Sequence, residues 1–114
     1  MSVPVNITPG SYEVFRYAGN PASIGANELV AANSTKRILV VGAFFSASGG
    51  AQNVIFRSGG STALTGAMDV PADWLYVLPW NPVGWFVTAK GEALNLVLTA
   101  ATSFGITVLY QLVD

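Results

Sequence analysis

The chain has 114 residues, of which 52% are hydrophobic and only 10% are charged, and its formal net charge is −1. A typical soluble domain carries about 25% charged residues, so this chain has too few charges to cover an ordinary monomer surface. The five basic residues form no stripe, which argues against nucleic-acid binding. Cysteine and histidine are both absent, which excludes disulfides, thiol chemistry and the commonest general base.

The N-terminal residues 1–22 are predicted to form an extended arm, and residues 23–114 a single β-sandwich domain. Pro4, Pro9 and Pro21 forbid a regular helix in the arm. Tyr12, Phe15 and Tyr17 supply apolar anchors along it, although Pro-rich segments of this kind lack a core of their own.

The rest of the chain is rich in β-branched and aromatic residues and is punctuated by glycine and proline, which predicts an all-β fold. The predicted strands span residues 24–30, 36–46, 53–58, 62–68, 74–78, 85–89, 93–100 and 105–113. About eight short strands at a spacing of roughly ten residues favour an antiparallel, jelly-roll-like sandwich.

The segment 36–46 is the most apolar of the predicted strands. Strict alternation places Ile38, Val40 and Phe44 on one face. It places Leu39, Val41 and Phe45 on the other face. Apolar residues on both faces indicate a central strand, or a strand whose outer face meets a partner.

The stretch LPWNPVGWF at residues 78–86 contains two of the three tryptophans and no charge. Pro79 and Pro82 restrict the backbone and end a strand, and Gly84 lets the chain re-enter a sheet. The aromatic side chains suggest either a ligand platform or packing in the core or at a subunit contact. We favour packing, because few polar groups accompany the aromatic residues.

No group of residues suggests catalysis, so we expect no enzyme, no cofactor and no metal. Serine nucleophiles lack a base, and the glycine pairs fit turns better than a phosphate-binding loop. Asp69 and Asp73 flank a short loop and could share a calcium ion, but solvated loop charges are the better interpretation. Two uncharged stretches are long enough to span a bilayer, yet turn residues and strand-like alternation interrupt them, so no membrane association is expected.

The run SGGAQNVIFRSGGSTALTGAM (48–68) and the run LPWNPVGWFVTAKGEALNLVLTAATSFGITVLYQLV (78–113) together resemble a group of small virion proteins of tailed bacteriophages. The resemblance covers about residues 36–113. Proteins of this kind are jelly-roll-like domains that serve as head decoration, or capsid cement, proteins and typically form trimers. The motifs are structural, so they specify the fold better than the position in the virion.

The resemblance implies a homotrimer on the outer surface of the capsid that binds the major capsid protein of the same phage and stabilises the assembled head. The candidate subunit or capsid interface consists of Tyr12, Phe15, Tyr17, Leu39, Val41, Phe45, Trp74, Trp80 and Trp85. An alternative is a receptor- or glycan-binding module of a head or tail fibre, which rests on the three tryptophans.

Overall fold

The computed structural model describes residues 13–114, which contain ten β-strands. The strands are β1 (Val14–Gly19), β2 (Gly25–Val30), β3 (Arg37–Ser48), β4 (Gln52–Ser58), β5 (Thr62–Ala63), β6 (Met68–Val70), β7 (Leu75–Leu78), β8 (Phe86–Val87), β9 (Leu94–Leu98) and β10 (Ser103–Val113). In this part of the chain no helix has the length and apolar character that a membrane crossing requires.

The strands form two antiparallel sheets. Sheet A has the order β1-β10-β3-β7, and β8 also pairs with β3. Sheet B has the order β2-β9-β4-β5, and β6 also pairs with β4. Strands from the two ends of the chain are therefore interleaved, since β10 lies between β1 and β3 and β9 lies between β2 and β4.

Alternation explains how the two sheets enclose one core. In β9 the three leucines Leu94, Leu96 and Leu98 are buried, whereas Asn95 and Val97 between them are partly exposed. Each buried leucine contributes about 1.5–3 kcal/mol by removing apolar surface from water. The predicted all-β antiparallel sandwich is confirmed, while its description as a jelly roll stays a prediction.

The described residues contain two strands more than the eight predicted, because β1 falls in the predicted arm and the predicted strand 62–68 is divided into β5 and β6. Both β5 and β6 lie along β4, and Leu64 N–H donates to the Phe56 carbonyl between them (2.7 Å). Both β7 and β8 lie along β3 and are separated by the proline-containing loop. Each pair of short strands thus continues one edge of a sheet.

A β-bulge in β3 changes which side chains face the core. The register with β10 shifts where Leu109 pairs with Gly42 and Tyr110 pairs with Val40, so Val41 has no partner in β10. Ahead of the bulge the even-numbered residues point inward, and beyond it the odd-numbered residues do. The alternation predicted for the whole strand therefore fails after Val41.

Part of the predicted N-terminal arm belongs to the sheet. Strand β1 pairs with β10 over six residues and forms one edge of sheet A. Tyr17, paired with Val108, packs against the core, whereas Phe15, paired with Tyr110, is exposed. The sandwich thus begins before residue 23, and the predicted arm from residue 1 to residue 12 lies outside the described residues.

Two buried polar side chains close the two ends of β4. Ser58 donates from its hydroxyl to Glu92 Oε1 (2.5 Å) and accepts from Ala89 N–H (2.9 Å). Gln52, at the other end, bonds the backbone of Thr99 and Ala100. Both side chains are almost fully buried and hydrogen-bonded, so they tie the neighbouring turns to the core without an unsatisfied polar group.

Candidate interaction surface

The outer face of sheet A carries exposed apolar side chains where β3 meets β7. Phe44 and Val77 are directly paired across the two strands, with exposed fractions of 50% and 56%. Leu75 lies two residues before Val77, hence on the same face, and is 62% exposed. These three side chains together form a contiguous apolar surface that is exposed to solvent.

The loop between β7 and β8 extends this surface along the edge of β3. Asn81 N–H donates to the Val41 carbonyl and Trp85 N–H donates to the Val40 carbonyl, each at 2.8 Å. The indole Nε1 of Trp85 donates to the Pro79 carbonyl (2.8 Å) and closes the loop on itself. The loop is therefore held on the sheet at both ends, next to the bulge.

Local sequence explains the shape of this loop. The side-chain oxygen of Asn81 accepts from Val83 N–H (3.0 Å), which is an Asx turn. Gly84 N–H donates to the Asn81 carbonyl (2.9 Å), and Gly84 has a φ of 96°, a conformation that favours glycine. The tight turn leaves Val83 at its tip, 84% exposed.

We call this surface the apolar patch. It consists of Phe44, Leu75, Val77, Trp80, Val83, Trp85 and Val87, all of which are exposed. No charged residue occurs between Asp73 and Lys90 to interrupt it. Exposed apolar side chains that cluster in this way mark interaction surfaces, and tryptophan is enriched at such interfaces.

The structure places the candidate residues on β3 differently from the prediction. Val41 and Phe45 are fully buried within the subunit, with exposed fractions of 0% and 1%, so their side chains are not available to a partner. For Phe45 the bulge is the physical reason, because it turns Phe45 inward and Phe44 outward. Leu39, partly exposed, lies against the backbone of Gly84.

The candidate residues near the N-terminus lie away from the apolar patch. Phe15 is 36% exposed and stacks on Tyr110 with ring centroids 5.6 Å apart. Tyr17 is partly buried and packs against the core. Tyr12 lies outside the described residues.

All three tryptophans are exposed, with fractions of 61% for Trp74, 57% for Trp80 and 44% for Trp85. Packing of these rings in the subunit core, one of the two favoured explanations, is therefore excluded. A subunit contact and a ligand platform both remain. Side chains alternate around β8, since Trp85 and Val87 are exposed while Phe86 and Thr88 are more buried.

Sequence reasoning missed five members of the patch, namely Phe44, Leu75, Val77, Val83 and Val87. The alternation in LYVL could have identified Leu75 and Val77, because they share a face that contains no polar residue. Phe44 had no comparable signal, since its orientation depends on the bulge. Within residues 13–114 no cluster of three or more histidine, cysteine, aspartate or glutamate side chains is placed to hold a metal ion.

Comparison with known proteins supports the fold class and little else. No family model matches the chain, and no curated protein matches it. A solved structure from Bacillus endospore appendages, described as disulfide-linked pili, has a similar fold with a TM-score of 0.53. The similarity covers 99% of this chain and 100% of that chain at 13% sequence identity.

Proposed function

We propose that the protein is a structural subunit that self-associates through the apolar patch, and that its assembled form is a homotrimer that decorates a phage capsid. The observation that carries the proposal is the patch itself. Its side chains lie on one edge of sheet A and are 36–84% exposed, and the segment 74–89, which supplies six of the seven, carries no charge. Exposure of such a surface to water is unfavourable, and a second copy of the chain that packs on the patch would remove the patch from water.

The composition supports a self-associating subunit. Only 10% of the residues are charged, which is sparse for a protein that stays monomeric. A trimer ring uses a heterologous contact, in which the patch of one copy meets a different surface of the next copy. We therefore expect each subunit to bury its patch and to keep the polar side chains of sheet B in solvent.

A trimer would stabilise a capsid by mass action. If it binds the assembled shell and not separated capsid subunits, each binding event shifts the equilibrium toward the shell. Three linked contacts also raise the overall affinity above that of one contact, provided that all three sites are reached together. The mechanism needs no catalytic residue.

The role of the patch is tested with two matched lysine variants. Val77→Lys places a charge in the patch, whereas Ile24→Lys places the same charge at a site 67% exposed outside it. Burial of an unpaired charge costs several kcal/mol, so we expect Val77→Lys to weaken self-association by about tenfold or more. Sedimentation velocity over a concentration series measures this effect. If the two variants self-associate equally strongly, the patch is not the surface through which the subunits associate.

The capsid assignment is tested separately by co-sedimentation with capsids of the same phage. We expect saturable binding to expanded heads and no binding to unassembled capsid subunits. If the trimer binds neither expanded heads nor unassembled capsid subunits, the decoration role is overturned. The proposal of self-association is not affected by that result.

A second candidate is a subunit of a fibre, and the similarity to a pilus protein favours it. A heterologous contact that does not close into a ring produces an open filament. This chain has no cysteine, so a filament of it would not be linked by disulfides between these residues. Negative-stain electron microscopy distinguishes closed trimers from filaments.

A further inference from the structure

A cavity of about 350 Å³ opens at one end of sheet B, where β4 begins and β6 and β9 end. Apolar atoms of Ala51, Val70 and Pro71 line part of it. Asn53, Asp69 and Thr99 add polar groups of three different kinds, an amide, a carboxylate and a hydroxyl. None of these residues belongs to the apolar patch. Small-molecule sites combine apolar walls with a few convergent polar groups in this way.

The carboxylate of Asp69 is held in place by its neighbours. Asn53 and Asp69 are paired across β4 and β6, and Asn53 Nδ2 donates to Asp69 Oδ1 at 2.7 Å. The hydroxyl of Tyr76 donates to the backbone carbonyl of Asp69. Side chain and backbone are thus both fixed before any ligand arrives, which lowers the entropy cost of binding.

A buried glutamine fixes the backbone position of Thr99. Gln52, 3% exposed, accepts through Oε1 from the backbone N–H groups of Thr99 and Ala100, each at 2.9 Å. Its Nε2 donates to the Ala100 carbonyl at 2.7 Å. Hydrogen bonds therefore hold the three polar groups of the cavity in fixed positions, as a preorganised binding site requires.

We propose that this cavity binds a neutral saccharide. The carboxylate of Asp69 would accept hydrogen bonds from sugar hydroxyls, and the second N–H of the Asn53 amide would donate. The Thr99 hydroxyl accepts from Asn53 N–H and donates to Gln52 Oε1, each at 3.3 Å, so it would accept from a sugar hydroxyl through its remaining lone pair. Among the described residues that line the cavity, Asp69 alone is charged, so anions are repelled. A hard cation such as calcium is poorly served, since it takes six to eight oxygen ligands.

Trp74 supplies an apolar surface close to the cavity. It ends a tight turn that starts at Pro71, where Trp74 N–H donates to the Pro71 carbonyl (3.2 Å). Asp73 inside this turn has a φ of 65°, which is unusual for a residue other than glycine. Trp74 is 61% exposed and follows the cavity residue Pro71 by three positions, so we expect its ring to pack on the apolar face of a bound sugar.

The test is an NMR titration of the full chain with a panel of neutral mono- and disaccharides up to tens of millimolar. We expect at least one sugar to give saturable shifts at the amides of Asn53, Asp69 and Thr99, with none at Phe44 or Val77. Asp69→Asn should weaken the affinity for that sugar by about tenfold, because hydrogen bonds to a charged acceptor are the stronger ones.

Asp73→Asn is the matched control, since it removes a carboxylate four residues away that does not line the cavity. It should leave the affinity unchanged. Thr99→Val is a second variant that should also weaken binding, in case Asp69→Asn disturbs the fold. The proposal is overturned if no sugar saturates, if the shifts fall on the apolar patch, or if both Asp69→Asn and Thr99→Val bind as the parent protein does.

Discussion

Gly84 shows at the scale of one residue why the loop at residues 78–86 needs its sequence. Its φ of 96° is strained for any residue with a side chain. A Cβ at this position would also lie 2.2 Å from Leu39 Cδ1, well inside van der Waals contact. Two separate effects therefore select glycine here, and both act where the loop returns to the sheet.

Three glycine variants separate these two effects. We expect Gly84→Ala to lower the free energy of unfolding by more than Gly25→Ala, which has the same φ of 96° and no atom within 4 Å of the added Cβ. Gly25→Ala measures the backbone strain alone, about 1–2 kcal/mol. Gly60→Ala, with open space and no positive φ, should change stability by less than about 0.5 kcal/mol.

Urea denaturation followed by circular dichroism measures all three values. If Gly84→Ala were no more destabilising than Gly25→Ala, the contact with Leu39 would have no energetic weight. The sequence predicted a strand break and a glycine turn in this loop. It could not predict that the tryptophans stay exposed, because exposure depends on which elements pack over them.

Strand β3 shows the same limit at the scale of an element. Its location was predicted within two residues, because a long run of apolar residues is a strong local signal. Its faces were mistaken beyond Val41, because a bulge is set by pairing with β10 and not by the residues of β3 alone. The pair Phe44 and Phe45 therefore exchanged their predicted sides.

Two alanine variants test the assignment of faces. Phe45 lies in the core, within 6 Å, centroid to centroid, of the rings of Phe56, Tyr76 and Phe104. We expect Phe45→Ala to lower the free energy of unfolding by about 3–5 kcal/mol. Phe44→Ala should lower that of the subunit by less than about 1 kcal/mol and should weaken self-association.

Denaturation at low protein concentration gives the stability of the subunit, and sedimentation velocity gives its association. The opposite pattern is a large loss of stability for Phe44→Ala and a small loss for Phe45→Ala. It would show that the side chains of β3 alternate without interruption and that the assigned faces are wrong.

At the scale of the whole molecule, composition and topology were predictable to different degrees. Scarcity of helix formers and regular spacing of turns were enough to predict an antiparallel sandwich. The strand order was not predictable, because β1 pairs with β10 and β2 pairs with β9 over most of the chain length, and local sequence carries no record of such distant partners. Strand β1 was not predicted for the same reason, since its partner β10 lies at the other end of the chain. The prolines near β1 led to the prediction of an unpaired arm instead.

An exposed apolar surface was predictable in kind but not in detail. Low charge and the run of aromatic residues indicated that part of the surface meets a partner. Which side chains form that surface depends on the bulge, on the broken edge of β3 and on the turn at Gly84. The pocket at Asp69 was likewise hidden, because its polar groups come from three strands or strand ends that are separated along the chain.

The native mass of the protein in solution, measured by light scattering behind a sizing column, tests the central claim most directly. Self-association through the apolar patch into a ring predicts a mass three times the 11.9 kDa of one chain. The mass should fall toward that of one chain for Val77→Lys and stay trimeric for Ile24→Lys. A parent protein that remains a monomer at the highest concentrations reached would contradict the account.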